Sequence, residues 1–214
     1  MSFTDSEKLT IAQLLLEELR VDRLEVASAR VSEGEFKGAK KILDWAAQNG
    51  YLDRIEILGF VDHTISVDWI KESGGRVINL LCKGSRKHCE SQLRKTVEEH
   101  LADIAQTIGY AHEQGLTANV YLEDWSNGMR TSPDYVDQMV EGLLKLPVSH
   151  IMLPDTLGIL NHKESATFCG QMTAKFPQAR FDFHAHNDYD LSTANVYSAL
   201  EAGITGIHLS LIHI

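Results

Sequence analysis

The chain has 214 residues, 43% of them hydrophobic, which is enough for one sizeable core and within the usual range of a single domain. Its 20 basic residues against 30 acidic ones leave a formal charge of -10, which repels nucleic acid and anionic membrane surfaces. Three cysteines, Cys82, Cys89 and Cys169, are odd in number and lack metal-type spacing, so neither a disulfide framework nor a zinc finger is supported.

No apolar run approaches the roughly 20 residues that cross a bilayer, and the polar start MSFTDSEK is unlike a signal peptide; a cytoplasmic protein is expected. Thr4-Asp5-Ser6-Glu7 is a capping box ahead of the run IAQLLLEEL, because hydroxyl and carboxylate each satisfy the other residue's free amide, so a helix opens the chain. A short β-rich segment, Arg23 to Ala27, follows. Next comes a helix through Lys41-Ile42-Leu43-Asp44-Trp45 that stops near Asn49-Gly50. RIEILGF (54–60), RVINLLCK (76–83), TANVYLE (117–123), SHIMLPD (149–155), ARFDFHAH (179–186) and ITGIHLS (204–210) read as strands separated by helical patterning. Ser132-Pro133 is a helix start, an N-cap followed by proline at the first helical position. No repeat or Pro/Gly/Ser-rich linker marks a boundary, so residues 1–214 are expected to form one domain.

About seven strands alternating with helices imply parallel pairing, and strands apolar on both faces fit a sheet covered by helices. A (β/α)8 barrel is favoured over a doubly wound sheet, because polar residues recur at strand C-terminal ends: Glu123-Asp124, Asp155-Thr156 and His184/His186. A doubly wound nucleotide binder needs a glycine-rich turn after its first strand, and none is present. The chain opens with a helix and has no helix after its last strand, so the expected fold is an α/β, incomplete (β/α)8 TIM barrel lacking the first strand and final helix.

His184-Ala185-His186-Asn187-Asp188 is the strongest chemical signal. Residues two apart in a strand point to one side, so both imidazoles face the barrel mouth and can grip one divalent ion. Two histidines and a carboxylate suit Zn, Mn or Fe, and Mg less readily; the alternative is a hydrogen-bonded pair with no ion. Glu123 ends an otherwise apolar strand, where a carboxylate is costly unless it meets a cation, a proton or a substrate hydroxyl. A surface loop acid is the alternative, more readily for Asp124. The Thr156 hydroxyl can bind a substrate carboxylate, although Asp-Thr before a glycine is also ordinary turn chemistry. Trp45, Trp69 and Phe168 fall on helical segments and read as packing. The basic residues from Lys83 to Lys95 read as a solvated loop ahead of a phosphate contact.

On these residues the chain resembles the 2-isopropylmalate, homocitrate and citramalate synthases, acyl-CoA-condensing barrels of the metallolyase superfamily. SFTDSEKLTIAQLLLEELRVDRLEVAS resembles the segment after that family's Arg-Asp-Gly-x-Gln motif, while VYLEDWSNG, LPDTLG and FHAHNDYDLSTAN match successive strand ends. HAHND is the specific motif, and the likeness is greatest to citramalate synthase. The resemblance implies that His184 and His186 are metal ligands, that Thr156 binds the oxo-acid carboxylate and that Glu123 contacts substrate near the reacting carbonyl. Leu58, Leu81 and Tyr121 would line the pocket for the oxo-acid side chain, with room for a methyl group, which points to pyruvate ahead of 2-oxoisovalerate.

It further implies a divalent metal (Mn, Zn or Mg), acetyl-CoA as co-substrate, small-molecule partners, a homodimer when complete, and a place in branched-chain (leucine or isoleucine) amino-acid biosynthesis. The family's Arg-Asp-Gly-x-Gln aspartate and arginine have no counterpart here, and the closing LSLIHI does not resemble the family, so His213 is not read as a ligand. The expectation is a metal-dependent acyltransferase whose isolated chain binds metal weakly and turns over little. A carbon–carbon lyase of the same superfamily and a non-catalytic fragment are the competing readings.

Overall fold

The computed structural model describes residues 3–209. Seven strands form one sheet in chain order: β1 (Leu24–Ser28), β2 (Ile55–Phe60), β3 (Val77–Lys83), β4 (Thr117–Glu123), β5 (Val148–Asp155), β6 (Phe181–Ala185) and β7 (Gly206–His208). The strands run parallel, and sequential order with helical crossovers is the arrangement of a (β/α) barrel; a doubly wound sheet reverses its order part-way. A closed barrel of this class has about eight strands, and seven lie among the described residues. The helices are α1 (Asp5–Gln13), α2 (Glu33–Asn49), α3 (Ile65–Ser73), α4 (Arg86–His88), α5 (Val97–Glu113), α6 (Trp125–Thr131), α7 (Pro133–Leu143), α8 (His162–Lys175) and α9 (Ser192–Glu201). None is long and apolar enough to cross a membrane.

The expected local signals appear where they were read. Both halves of the capping box close at α1: the Thr4 amide donates to Glu7 Oε2 at 2.8 Å and the Glu7 amide to the Thr4 hydroxyl at 3.3 Å. The Thr4 amide and the Thr4 hydroxyl, both donating to Glu7 Oε2, hold the Glu7 carboxyl below its ordinary range. Helix α2 ends at Gly50, which takes the left-handed conformation (φ 77°) that terminates helices without a Cβ penalty. Pro133 stands at the first turn of α7 as expected, but Ser132 makes no side-chain bond to that helix, since its hydroxyl accepts the Arg86 amide instead. The basic run is not a plain loop: α4 and the π turn Cys89–Leu93 make much of it helical, with Arg86 paired to Asp134.

Contacts group the chain into two compact units, residues up to 80 with 103–118, and residues 81–102 with those from 119 on. In the first, Ile42, Leu43 and Ala46 of α2, Ile55 and Ile57 of β2, and Val67 and Ile70 of α3 are buried. Phe36 and Trp69 meet edge to face across α2 and α3, with centroids 5.2 Å apart, and Trp45 stacks on Tyr51, so both tryptophans serve packing. The buried carboxylate of Glu56 and that of Glu25 both accept from the Asn79 amide nitrogen, at 2.8 and 2.6 Å, which satisfies charge that burial would otherwise penalise.

In the second unit Trp125 is fully buried, with the rings of Phe168 and Phe183 set against it at 6.3 and 6.2 Å. Two glycines let backbones touch here. A Cβ on Gly84 would overlap the Leu122 carbonyl, and one on Gly128 would overlap the Gly84 carbonyl, so the ends of β3 and β4 and helix α6 interlock only without those side chains. The cysteines are all free and buried. Burial pushes the Cys169 thiol up to about 12 and also raises Cys82 and Cys89. A raised thiol pKa leaves almost no thiolate at neutral pH, so alkylation of the folded protein at pH 7 is expected below ~1% of the free-cysteine rate. Iodoacetamide labelling followed by mass spectrometry checks this, with full labelling of all three only in denaturant.

Candidate active site at the strand ends

The polar side chains singled out from the sequence collect at strand C-terminal ends of the second unit, where barrel folds place chemistry. His184 is the penultimate residue of β6, and His186 follows the strand; both are half-buried. Their rings lie 5.0 Å apart at 81°, so the two-residue spacing does bring both imidazoles together. His184 Nδ1 lies 2.9 Å from the His208 carbonyl oxygen. A carbonyl can only accept, so this nitrogen carries the proton, and in the neutral ring Nε2 keeps a lone pair.

Two further side chains stand at these strand ends. His208, the last residue of β7, has its ring 4.9 Å from that of His184 and its Nδ1 2.5 Å from the Tyr121 hydroxyl. Lys83, the last residue of β3, pairs through Nζ with Glu123, the last residue of β4. The signal for Lys83 was available, since RVINLLCK ends on it, whereas the expected strand ITGIHLS ran past His208. Lys83 is pinned by its own backbone as well: its amide donates to His100 Nε2 at 3.1 Å and its carbonyl accepts the Tyr135 hydroxyl at 3.0 Å. The next amide, of Gly84, donates to the Glu123 carbonyl at 2.6 Å. Glu123 therefore meets a cation, one of the partners its position demanded.

Asp124 is not the surface acid that its loop position allowed. It is 2% exposed and left-handed (φ 67°), with Oδ2 accepting the Ser85 hydroxyl at 2.7 Å and Oδ1 the Asn127 amide at 2.8 Å. A tight backbone turn at the strand end buries the carboxylate, and hydrogen bonds replace its lost water. Its amide donates to Thr156 Oγ1 at 2.9 Å. That bond occupies a lone pair of the hydroxyl and leaves its proton to donate elsewhere. Asp155 caps the same turn by accepting the Leu160 amide at 2.9 Å, and Gly158 closes it at φ 59°.

Tyr121 is buried on β4 with its ring 6.2 Å from that of His184; Leu81 is half-buried on β3 in the same unit. Leu58 is half-buried on β2 and belongs to the first unit. The rest of the HAHND motif is structural in large part: the Asn187 side chain accepts the Ser192 amide at the start of α9, and Asp188 is exposed and packs over Gly158. Among the described residues no group of three His, Cys, Asp or Glu side chains is placed to hold a metal ion. His213 lies outside those residues.

An open cleft of about 750 Å³ lies elsewhere in this unit. It is lined by Arg86, Arg94 and Lys95, but also by Glu90, Glu98 and Glu99, so its charges balance.

Comparison with known proteins places these features in context. A family model described as HMGL-like matches residues 1–214. A homocitrate synthase of Sulfolobus acidocaldarius is 27% identical over 213 residues, covering 98% of this chain and 44% of that protein. A 2-isopropylmalate synthase of Sulfurisphaera tokodaii is 27% identical over 212 residues, covering 99% of this chain and 53% of the relative. The chain thus spans about half the length of the curated relatives it matches. Among solved structures, an HMG-CoA lyase of Bacillus subtilis superposes with a TM-score of 0.77 at 20% identity, over 97% of this chain and 70% of that one. The carboxyl transferase domain of Rhizobium etli pyruvate carboxylase gives 0.71 at 15% identity, over 95% of this chain and 36% of that one. At such identities the likeness establishes the barrel fold alone.

Proposed function

Because the chain belongs to the HMGL-like family, we propose that residues 1–214 form a catalytic domain condensing acetyl-CoA with a 2-oxo acid. Pyruvate is the favoured acceptor, giving citramalate, with 2-oxoisovalerate next. The observation that carries the reading is the pairing of His184 and His186 at the end of β6, their rings 5.0 Å apart, with His184 Nδ1 donating to the His208 carbonyl at 2.9 Å. A metal-bound histidine is oriented in this way, by a backbone carbonyl on its other nitrogen.

His184 and His186 would supply two ligands to a divalent metal (Mn, Zn or Mg), which when bound contributes Lewis acidity at the oxo-acid carbonyl. The Thr156 hydroxyl, its oxygen already bonded to the Asp124 amide, donates its proton to the oxo-acid carboxylate. Glu123 stands at the reacting end of the substrate, held in place by Lys83. Leu81 and Tyr121 bound the space for the acceptor's side chain and favour a methyl group, a discrimination worth about 1–3 kcal/mol per methylene, and the resemblance implies the same role for Leu58.

In the reaction a proton leaves the acetyl methyl and the resulting carbon nucleophile forms a bond to the acceptor carbonyl carbon. Water then cleaves the thioester and releases the CoA thiol. Location in the cytoplasm, a homodimeric assembly and a role in branched-chain amino-acid synthesis belong to the same proposal. The carbon–carbon lyase reading draws its support from fold likeness at 20% identity, and is the weaker for it.

The test is thiol release from acetyl-CoA by the protein carrying these residues, with manganese and pyruvate, 2-oxobutyrate or 2-oxoisovalerate. Release that requires both an oxo acid and the metal is expected, fastest with pyruvate. Release with none of the three acceptors, together with cleavage of a 3-hydroxyacyl-CoA, would move the assignment to the lyases.

A further inference from the structure

We propose that His208 is a positioning residue with two separable roles: its imidazole holds the Tyr121 wall of the acceptor pocket, and its backbone carbonyl orients His184. The inference rests on the pocket reading given above for Tyr121.

A buried tyrosine needs a partner for its hydroxyl, and the phenol end of Tyr121 is placed against His208, 2.5 Å from Nδ1 and 3.4 Å from Nε2. Tyr121 is only 6% exposed and its ring packs 5.6 Å from the imidazole, so the hydrogen bond fixes the end of the side chain where packing already limits its body. Without that bond the phenol end is less tightly held, and the space beside it is less sharply bounded. The second contact comes from the main chain. The β6–β7 register sets His184 opposite His208, and the His208 carbonyl accepts the His184 Nδ1 proton at 2.9 Å. A substitution at position 208 therefore removes this hydrogen bond to Tyr121 and leaves the carbonyl contact to His184 in place.

The two roles predict a split response. His208→Leu and Tyr121→Phe each delete one partner of the same hydrogen bond, and either change is expected to lower the preference for pyruvate over 2-oxobutyrate by about fivefold. Affinity for manganese is expected to stay within about twofold of wild type in both, because the carbonyl survives. Titration calorimetry of each oxo acid into manganese-loaded protein gives the preference without requiring turnover, and manganese titration in the absence of oxo acid gives the metal affinity.

Loss of preference in both variants with manganese binding retained supports the proposal. An unchanged preference in either variant, with wild type still favouring pyruvate, overturns the role of His208 and leaves the pocket reading standing. A fall in manganese affinity that tracks the loss of preference overturns the separation of roles. If the wild-type protein binds neither oxo acid, the pocket reading fails and this inference falls with it.

Discussion

His184→Ala is expected to abolish measurable condensation and to weaken divalent metal binding by ~100-fold or more. The magnitude follows from what the side chain does in the proposed site. Removing even an outer partner of a metal-bound histidine costs 10–100-fold, and a ligand itself contributes more. His186→Ala should behave alike, because the two rings form one 5.0 Å pair and neither binds an ion well alone. Stability should change little, since both histidines are half-buried beside a strand end and carry none of the apolar core. Manganese titration, with thermal melting of the same samples, separates the effects. A His184→Ala protein that binds metal and turns over like wild type would refute the metal assignment, and the hydrogen-bonded histidine pair would then be the correct reading.

Breaking the Lys83–Glu123 pair gives the second large effect. The side chains are 15% and 26% exposed, so this is a partly desolvated pair whose loss strands a charge, unlike a solvated surface bridge. Glu123→Gln keeps the shape and removes the charge, and is expected to lower kcat about 1000-fold, the range seen when a group aimed at developing charge is lost. Lys83→Met should lower kcat about 100-fold with KM changed much less, because the lysine holds Glu123 and is not itself placed on the substrate. Lys83→Arg should recover part of that loss. The double variant should be no worse than Glu123→Gln, since residues acting as a unit are not additive. Steady-state kinetics on the four proteins decides it. Additive losses, or a Lys83→Met protein as fast as wild type, would show that the lysine serves the fold alone.

How far the primary structure already carried these conclusions varies with the kind of signal. Strand positions were legible because apolar runs of five to eight residues, bounded by turn chemistry, have few alternatives; RVINLLCK and TANVYLE fall on β3 and β4 nearly to the residue. Ends were less so, and the run ITGIHLS pairs only over Gly206–His208. Local caps were legible wherever the cap bonds to its own helix, as at Thr4, and misread where a tertiary partner takes the hydroxyl, as at Ser132. Pairing of His184 with His186 was expected from strand geometry over ARFDFHAH, and the rings do meet although His186 lies just past the end of β6.

Taken alone, the amino-acid sequence determined the α/β class, the succession of strands and helices along the chain and the two-residue spacing of the histidines, since each of these depends on periodicity and short-range pattern. Which residues from different strands stand against the pair was decided by the tertiary structure. Lys83 reaches Glu123 because two glycines let three backbones close up, at Gly84 and Gly128. Asp124 turns inward because its left-handed backbone directs it to Ser85 and Asn127. His208 joins His184 because β7 pairs with β6 in that register. Contacts of this kind are set by how elements approach one another, over separations of 24 to 87 residues at His208, and no local pattern in the chain encodes that approach.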